Sequence, residues 1–433
     1  MVNQRLEKYA IYSKDFKGLP DGWHNLRRCN FLVGENSTGK SSFLQLIELM
    51  ESRAHMVFLD FLGTVEGIDT VSDVCSRISG AKEATIGFLI KEHADDEGNS
   101  KIKGRLITYK AVNDNFIITK LTAIQDNAAL RLKRQTKKIS YRSDVFQYNP
   151  ELLHTQNGRN LEELHYNTSD RFRGHHEVEW DLQPDSWQWV DAMNAAVRSE
   201  ETKSKIRAIG YPPLGCFSHG PMRAKTRRLY HGERSRFSKS GEHTPFMLRD
   251  VLQHDPALAE SINDFGRVSG LFDEITVSAI KTKVNDKPFV LQVRKGEKYF
   301  YVDELGFGVG QILPIVSDIS VQPAGTSFLV QQPELHLHPK AQASLGDLFY
   351  RAASAGGTLV IETHSDFLID RYRMATSQNK EQIRSQLIYF DKSVDGGNVC
   401  YEVEINPDGS YGELPENFRD FFVRESMAKF ETL

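Results

Sequence analysis

Phe31-Leu-Val-Gly34-Glu-Asn-Ser-Thr-Gly39-Lys40-Ser41-Ser42 is the most informative stretch of this sequence. A short apolar run, typical of a buried parallel strand, ends at Val33, and the loop after it matches the pattern G-x-x-x-x-G-K-[ST] at every position. Apolar residues then recur at helical spacing, which predicts a helix from about Lys40. These residues are Phe43, Leu46, Ile47 and Met50. The stretch therefore predicts a strand, a phosphate-binding loop and a helix.

The residue types in this loop suit phosphate binding. Glycines let the backbone amides turn towards a phosphate, and the N-terminus of the following helix adds a partial positive charge. Lys40 is placed to reach the β- and γ-phosphates of a nucleotide, and the Ser41 hydroxyl is placed to bind Mg²⁺. A chance match to the pattern is the alternative. The predicted cofactor-binding residues are Gly34, Glu35, Asn36, Ser37, Thr38, Gly39, Lys40, Ser41 and Ser42.

The composition is typical of a soluble, globular protein with a sizeable core. Of the 433 residues, 39% are hydrophobic and 26% are charged, and this length supports two or three domains. The net charge of −4 does not mark the whole chain as a nucleic-acid binder. The four cysteines form no C-x-x-C pair, which favours a reducing, cytoplasmic setting. No apolar run approaches roughly 18 residues, so no membrane span is expected.

The first 121 residues are predicted to be rich in strands. Leu6–Tyr12 and Asn30–Val33 precede the phosphate loop. Ala84–Ile90 and Phe116–Leu121 flank a polar turn at Asp95–Gly98, and two such runs are typical of an antiparallel layer.

Two basic stretches occur in the middle of the chain. From about residue 122 to 205 the sequence becomes polar, and we predict that this part is mostly helical. It carries a basic run of Arg131, Lys133, Arg134, Lys137, Lys138 and Arg142. A solvated helix face is the favoured interpretation of this run, and a contact with a phosphate backbone or an acidic partner is the alternative. Arg223–Lys239 is predicted to be a loop that either is a plain surface loop or faces nucleic acid.

The last third of the chain has short apolar runs that suit a parallel sheet, at Ser327–Val330, Thr358–Ile361 and Leu387–Phe390. A helical stripe between the first two runs completes a βαβ unit. We therefore predict an α/β fold in which the phosphate-loop strand and these later strands share one sheet. The predicted divisions are an N-terminal half at 1–121, a mostly helical insertion at 122–268 and a C-terminal half at 269–433.

Three further motifs follow the phosphate loop. They are Gly306-Phe-Gly308-Val-Gly310-Gln311, Gln331-Gln332-Pro-Glu334-Leu-His336-Leu-His338-Pro339 and Glu362-Thr-His364-Ser365. With the phosphate loop, this ordered set resembles the ABC-type ATPases of the SMC-like and OLD-like branch, and is closest to stand-alone bacterial members. Gly220-Pro-Met-Arg223 resembles a further turn of those proteins. The resemblance implies an ABC-type P-loop ATPase with a mixed sheet and an antiparallel β layer, interrupted by a largely helical insertion, with ATP and Mg²⁺ as cofactors.

The resemblance implies that Gly306–Gln311 is a signature loop. Gly306, Gly308, Gly310 and Gln311 would cross a dimer interface and cap the γ-phosphate of the ATP held by the other subunit. Glycines suit this role because a bare backbone approaches phosphate closely. Gly310 stands where the family usually has serine, so one hydroxyl contact is missing. A strand-to-helix turn without a ligand is the alternative.

The motif Gln331–Pro339 would be the Walker B site, and it departs from the family pattern. The family expects a carboxylate at residue 331 and Glu or Gln at residue 332, whereas this chain has Gln331 and Gln332. An amide orients a water molecule but does not accept its proton, and Gln331 would contact Mg²⁺ only through water. Two explanations stay open: the protein is a slow hydrolase that works by binding ATP, or Gln331 replaces a glutamate and traps ATP.

The last two motifs, Gln331–Pro339 and Glu362–Ser365, both contain histidines. The resemblance implies that His364 is a switch residue that contacts the γ-phosphate and senses its loss. With Gln331 and Gln332 it completes the predicted catalytic set. Glu334, His336 and His338 have the residue types of a zinc site, but the resemblance places them at a dimer seam.

The favoured functional hypothesis is an ATP-gated switch built as a homodimer or higher homo-oligomer. The 63 residues after Asp370 hold no D-x-D pair for catalytic metals, so a nuclease within the chain is not expected. By resemblance, nuclease-free ATPases of this kind work with a separate HNH or Toprim nuclease in bacterial anti-phage defence, as in the PARIS and Septu systems. An SMC-like ATPase that acts directly on DNA is the alternative, although no sustained heptads predict its coiled coil. A P-loop kinase is a third hypothesis, which leaves Gly306–Gln311 and His364 without a role.

Overall fold

The computed structural model describes residues 6–59, 65–70, 73–76, 79–92, 101–112, 115–149, 154–178, 180, 185–199, 216–232, 236–280, 288–379, 383–415 and 418. Its strands are β1 (Leu6–Lys14), β2 (Gly22–Leu26), β3 (Cys29–Gly34), β4 (Glu83–Glu92), β5 (Ile102–Val112), β6 (Asn115–Gln125), β7 (Ala128–Arg134), β8 (Lys138–Val145), β9 (Gly174–Glu177), β10 (Cys216–His219), β11 (Glu274–Ala279), β12 (Phe289–Lys295), β13 (Lys298–Tyr301), β14 (Ser327–Gln331), β15 (Leu359–Glu362), β16 (Ser385–Lys392) and β17 (Asn398–Ile405). Its helices are α1 (Lys40–Glu51), α2 (Arg53–Phe58), α3 (His154–Tyr166), α4 (Asp185–Arg198), α5 (Thr244–His254), α6 (Pro256–Ser269), α7 (Phe307–Val321), α8 (Pro339–Ser354) and α9 (Asp366–Gln378).

A six-stranded sheet joins the two ends of the chain. Its strand order is β10-β14-β15-β3-β16-β17, and every neighbouring pair is parallel except β16 and β17. The phosphate-loop strand β3 therefore lies between two strands from the last third of the chain, as predicted. The strands are apolar because helices cover them, and Phe31, Leu329 and Ile361 are at most 2% exposed.

A second, eight-stranded sheet is antiparallel, with the order β2-β1-β4-β5-β6-β7-β8-β9. This sheet confirms the antiparallel layer predicted for the first part of the chain. Helix α1 lies between the two large sheets, where it contacts β3, β14 and β15 on one side and β4 on the other. Its stripe of Phe43, Leu46, Ile47 and Met50 is almost fully buried, as the helical spacing predicts.

The prediction of helix for residues 122–145 was wrong. This part forms the end of β6 and the strands β7 and β8, which extend the antiparallel sheet. The predicted boundary at residue 122 consequently falls inside β6. Helical charge patterning misled the sequence interpretation because Arg131 is 2% exposed and forms ion pairs with Asp144 and Asp170 instead of facing solvent. Helices α3 to α5 do lie within 122–268, and α6 ends one residue beyond it at Ser269. The predicted domain divisions otherwise stay predictions.

The remaining elements cover the sheets. Strands β11, β12 and β13 form a small antiparallel sheet, and α5 and α6 pack against its first strand. Helices α8 and α9 pack closely on each other, and α8 covers the central sheet at β3 and β15. The predicted turn at Asp95–Gly98 lies outside the described residues. In the described part of the chain, no helix combines the length and the apolarity that a membrane span requires.

Candidate nucleotide-binding site

The phosphate loop has the backbone that its glycines predict. Three of its residues lie in the left-handed region, with φ of +133° at Gly34, +65° at Ser37 and +108° at Gly39. A side chain at Gly34 would meet the carbonyl oxygen of Phe390 at 2.0 Å, so only glycine fits there. The loop leads directly into α1 at Lys40, as predicted.

Lys40 lies over the loop that it is predicted to serve. Its Nζ donates hydrogen bonds to the carbonyl oxygens of Gly34 at 2.8 Å and Glu35 at 2.5 Å. Burial lowers the pKa of Lys40, and the nearby carboxylates of Glu362 and Glu35 oppose that shift. The ammonium group is therefore held at the loop by acceptors that a triphosphate would replace.

The carboxyl ends of two neighbouring strands meet beside Ser41. Gln331 ends β14, and it is paired in register with Glu362 at the end of β15. The Ser41 hydroxyl donates to the Glu362 carboxylate, with an oxygen–oxygen distance of 3.1 Å. Burial raises the pKa of Glu362, while the Ser41 hydrogen bond and the Lys40 charge oppose the shift. The structure thus adds Glu362 to the predicted site, and places a carboxylate next to the residue predicted to bind Mg²⁺.

Glu362 belongs to the motif Glu362–Ser365, but the sequence analysis predicted no role for it. A signal for it was present, because the carboxyl ends of adjacent parallel strands meet at one edge of a sheet. Gln332, which follows β14, has φ of +43° and donates its backbone N–H to the carbonyl oxygen of Glu362 at 2.7 Å. Gln331 and Gln332 therefore lie at the edge where the phosphate loop also lies.

Glu334 fixes the segment that carries His364. One carboxylate oxygen accepts from the backbone N–H of His364 at 2.7 Å, and the other accepts from the Thr363 hydroxyl at 2.8 Å. Ser365 caps α9 by accepting from the backbone N–H of Leu368 at 3.2 Å. The His364 side chain is exposed at this edge. Glu334 is therefore a positioning residue for the predicted switch histidine.

The zinc interpretation of Glu334, His336 and His338 finds no support. No group of three or more His, Cys, Asp or Glu side chains is placed to hold a metal ion in the described ranges. His338 instead accepts from the backbone N–H of Lys340 and caps α8, with Pro339 in the first turn. The His336 ring faces the Phe307 ring, with centroids 5.8 Å apart.

The predicted signature loop is mostly the start of a helix. Gly306 is the N-cap of α7, and Gly308, Gly310 and Gln311 lie in its first two turns. The β-carbon of an alanine at residue 308 would lie 2.8 Å from the His336 carbonyl oxygen, and one at residue 310 would lie 2.8 Å from the Thr226 methyl group. Among the described residues, apart from the chain neighbours of Gly306, no atom lies within 4 Å of such a position at Gly306. Gly308 and Gly310 therefore serve close packing, while Gly306 faces open space.

Arg223 is buried beside the end of β14. It is 7% exposed, and its Nη2 donates to the carbonyl oxygen of Gln331 at 2.8 Å. Its Nε and Nη1 atoms have no hydrogen-bond partner among the described residues, and burial lowers its pKa to about 10. The Gln311 amide lies 3.5 Å from the Arg223 carbonyl oxygen, which connects α7 to this residue. The nucleic-acid interpretation of Arg223–Lys239 was therefore wrong for Arg223.

The other basic residues of Arg223–Lys239 differ in whether they form ion pairs within the chain. Lys239 forms an ion pair with Glu48 at 2.7 Å, and Arg228 forms one with Glu304 at 3.2 Å. Lys225 and Arg227 are exposed, and for them a contact with nucleic acid stays a prediction. Arg234 lies outside the described residues.

The two helices predicted to face phosphate both start without a side-chain cap. At the N-terminus of α1 and of α7 the cap residue is glycine, no side chain accepts from the first amides, and no acidic residue occupies the first turn. Among the other helices, α2, α6, α8 and α9 are capped by a side chain, whereas α5 is not. Uncapped amides and the helix dipole make such a terminus a site for anions.

The comparison with protein families agrees with this geometry. Residues 29–370, well over half of the chain, match the family described as "AAA domain, putative AbiEii toxin, Type IV TA system". The chain belongs to this family. Together with the phosphate loop, membership makes the protein a P-loop ATPase of the AAA-domain kind, a class that binds a nucleotide and usually Mg²⁺.

Solved structures of SMC heads are similar to this AAA-family chain. One is an Smc head bound to the C-winged helix domain of ScpA, with 12% identity, a TM-score of 0.45, and coverage of 93% of this chain and 98% of that chain. Another is the SMC head domain from Thermotoga maritima, with 12% identity, a TM-score of 0.38, and coverage of 93% of this chain and 100% of that chain. A comparison with curated proteins finds no match.

Proposed function

We propose that this chain binds ATP with Mg²⁺ at the carboxyl edge of its central sheet, and that two copies close head to tail around two nucleotides. The observation that carries the proposal is that two helices, α1 and α7, begin at a glycine N-cap without a side-chain cap, at Gly39 and at Gly306. The first belongs to the phosphate loop, and the second faces open space. In a head-to-tail pair, each nucleotide lies between the first terminus of one copy and the second terminus of the other.

Each residue of the site has a proposed role. Lys40 and the loop amides bind the β- and γ-phosphates, and Ser41 binds Mg²⁺. Glu362, which already accepts a hydrogen bond from Ser41, supplies the carboxylate that residue 331 lacks, and Gln331 contacts the ion through water. Gln332 orients the attacking water. His364, held by Glu334, donates to the γ-phosphate.

The chemistry of these residues supports slow hydrolysis. Neither Gln331 nor Gln332 accepts a proton from water, so general-base catalysis at these two positions is absent. ATP then acts mainly as the ligand that stabilises the closed pair, through its higher affinity for that state.

We further propose that closure controls a separate effector, an HNH or Toprim nuclease, in bacterial anti-phage defence. Two points support this: the motif resemblance, which is an analogy, and the family description, which names a putative toxin. The alternative of an SMC-like ATPase acting alone on DNA is less well supported, because the longest described helix has 16 residues and no long coiled coil is present in those parts. Purification of the tagged chain from its native host tests the effector. Recovery of a nuclease is expected, and a chain that repeatedly purifies alone contradicts this proposal.

Light scattering with and without Mg²⁺–ATP tests the assembly directly. The mass of the wild-type particle is expected to double, at least, on addition of ATP. Lys40→Ala is expected to prevent the increase because the phosphates lose their main cation.

Gly306→Leu tests assembly separately from nucleotide binding. Residue 306 has φ of −56° and ψ of 153°, which any residue adopts, so the fold tolerates a side chain there. Nucleotide binding, measured with a fluorescent ATP analogue, is expected to persist while assembly is lost, because leucine blocks the approach of the partner's phosphate. Assembly that is indifferent to both ATP and Gly306→Leu would overturn the head-to-tail proposal.

A further inference from the structure

One end of the eight-stranded sheet carries a concentration of positive charge. Lys110 on β5, Lys120 on β6, and Lys133 and Arg134 on β7 come from three adjacent strands. With Trp180, they line an open concavity of about 800 Å³. This surface, here called the basic sheet end, is formed by Lys133 and Arg134 of the basic run together with Lys110 and Lys120 outside it.

Two of these lysines face each other directly. Lys120 and Lys133 are cross-strand partners in the antiparallel pair of β6 and β7, so their side chains leave the same face of the sheet. Neither forms an ion pair with any described residue, and burial together with the charge of Lys133 lowers the pKa of Lys120. Like charges in this arrangement destabilise a sheet, and an anion bound between them removes the repulsion.

Carboxylates lie beside the first and the last residue of the basic run. Arg131 and Arg142 share Asp144 and Asp170 in a compact ion-pair network. At the basic sheet end, the carboxylate that lines the concavity belongs to Glu83, which pairs with Lys110 at 3.4 Å. The fold therefore neutralises Arg131 and Arg142 internally, whereas Lys133 forms no ion pair with any described residue.

The aromatic rings near this surface have cations over their faces. The Arg134 guanidinium lies 3.4 Å from the centre of the Trp180 ring. Lys14 and Lys120 lie 4.5 Å and 5.4 Å from the centre of the Tyr166 ring. Proteins that hold single strands stack bases on open aromatic faces, and cations occupy the faces here. The surface thus offers positive charges in a shallow, open shape, which suits a duplex backbone.

We propose that the basic sheet end binds the phosphodiester backbone of duplex nucleic acid, with a phosphate bridging Lys120 and Lys133. Strands of a sheet are about 4.8 Å apart, so cations on three strands span roughly 10 Å, enough to contact successive phosphates. This inference goes beyond the nucleotide-dependent assembly proposed above, and its test requires neither ATP nor an effector.

The test is fluorescence anisotropy of the full chain with labelled duplex DNA over a range of salt concentrations. Lys120→Gln combined with Lys133→Gln is expected to weaken binding about tenfold at moderate salt, and to lower the slope of log affinity against log salt by about 2. The matched control is Lys298→Gln with Arg351→Gln, which removes two exposed charges from β13 and α8, away from the basic sheet end. We expect the control to change affinity less than about twofold.

Folding is checked by the thermal midpoint of the Lys120→Gln, Lys133→Gln variant, which is expected to equal or exceed that of the wild type because a repulsion is removed. Single-stranded DNA and poly-glutamate are compared as further probes, and both are expected to bind more weakly than the duplex. The proposal is overturned by undetectable duplex binding at low salt, by an unchanged affinity in the lysine variant, or by an equal loss in the control. Tighter binding of either further probe overturns the assignment to a duplex.

Discussion

Glu51 is a buried acid at the end of α1 that the nucleotide site does not use. It is 8% exposed, and burial raises its pKa from 4.5 to about 8, against the opposing effect of a hydrogen bond with the Cys216 side chain. Between pH 4.5 and about pH 8, Glu51 is still protonated in the native chain but has lost its proton in the unfolded chain. Raising the pH therefore favours unfolding across this window.

Glu51→Gln is expected to raise the free energy of unfolding by about 2 kcal/mol at pH 8, because glutamine fills the same space without a proton to lose. The gain is expected to vanish near pH 4, where both states of the wild type are protonated. Urea unfolding at the two pH values measures it. Glu48→Gln on the same helix is the control: Glu48 pairs with Lys239, so its loss brings no gain at either pH. A wild-type stability that rises from pH 4.5 to pH 8 and does not respond to Glu51→Gln would contradict the assignment.

Gln331 is the residue at which the two explanations for slow hydrolysis separate. Its neighbour in register is Glu362, so a glutamate at 331 places a second carboxylate beside the Mg²⁺ position. If turnover is limited by the missing carboxylate, Gln331→Glu is expected to raise the ATPase rate at least about tenfold. Gln332→Glu is the matched variant, which adds the same charge one residue later. Phosphate release assays with both variants decide the point, and an unchanged rate in Gln331→Glu would exclude the idea that this position merely traps ATP.

At the scale of an element, α7 depends on close contact with the segment after β14. The contact is made at Gly308, where a β-carbon would lie 2.8 Å from the His336 carbonyl oxygen and 3.2 Å from a Leu337 methyl group. Gly308→Ala forces these apart and is expected to destabilise the protein by about 1–2 kcal/mol, even after the better helix propensity of alanine.

Gly306→Ala is the control for this prediction, because it makes the same change two residues earlier in open space. Its effect is expected to stay within about 0.5 kcal/mol. Chemical denaturation of both variants provides the comparison. Equal stabilities of the two alanine variants would show that the packing of α7 does not require glycine at 308.

The same packing explains the departure at Gly310. The family resemblance leads one to expect serine there, but Thr226 from the loop before α5 lies against this position. A β-carbon at residue 310 would lie 2.8 Å from the Thr226 methyl group, so a side chain there requires Thr226 to move. In the proposed head-to-tail pair, α7 therefore meets the nucleotide without a side-chain hydroxyl at residue 310.

At the scale of the whole molecule, head-to-tail closure predicts complementation between two defective chains. Lys40→Ala removes one half of each composite site and Gly306→Leu removes the other. A mixed pair contains one site with both halves intact and one with both halves altered, so mixing the two variants is expected to restore about half of the ATP-dependent assembly.

Sedimentation with one chain fluorescently labelled measures this mixed assembly. Each variant alone, at the same total concentration, is the control and is expected to stay in its ATP-free state. Mixtures that remain unassembled at every ratio would show that the two helix termini do not meet across one interface.

Several features of this protein follow from the sequence by itself. The match at Gly34–Ser42 and the apolar stripe after Lys40 depend on neighbours along the chain, and the structure has β3, the loop and α1 where they predict them. The short apolar runs of the last third likewise predict parallel strands, because only strands covered on both faces are apolar throughout. Local patterns are sufficient wherever the deciding contacts are local.

The tertiary structure alone decided the rest. Arg131 was assigned to a solvated helix because its spacing does not reveal Asp144 and Asp170, which neutralise it within a strand. Ser41 and Glu362 are 321 residues apart along the chain. They meet only because β15 lies next to β3 in the sheet. The burial of a cation or the meeting of two distant side chains depends on strand order and long-range packing, and no short window of sequence contains that information.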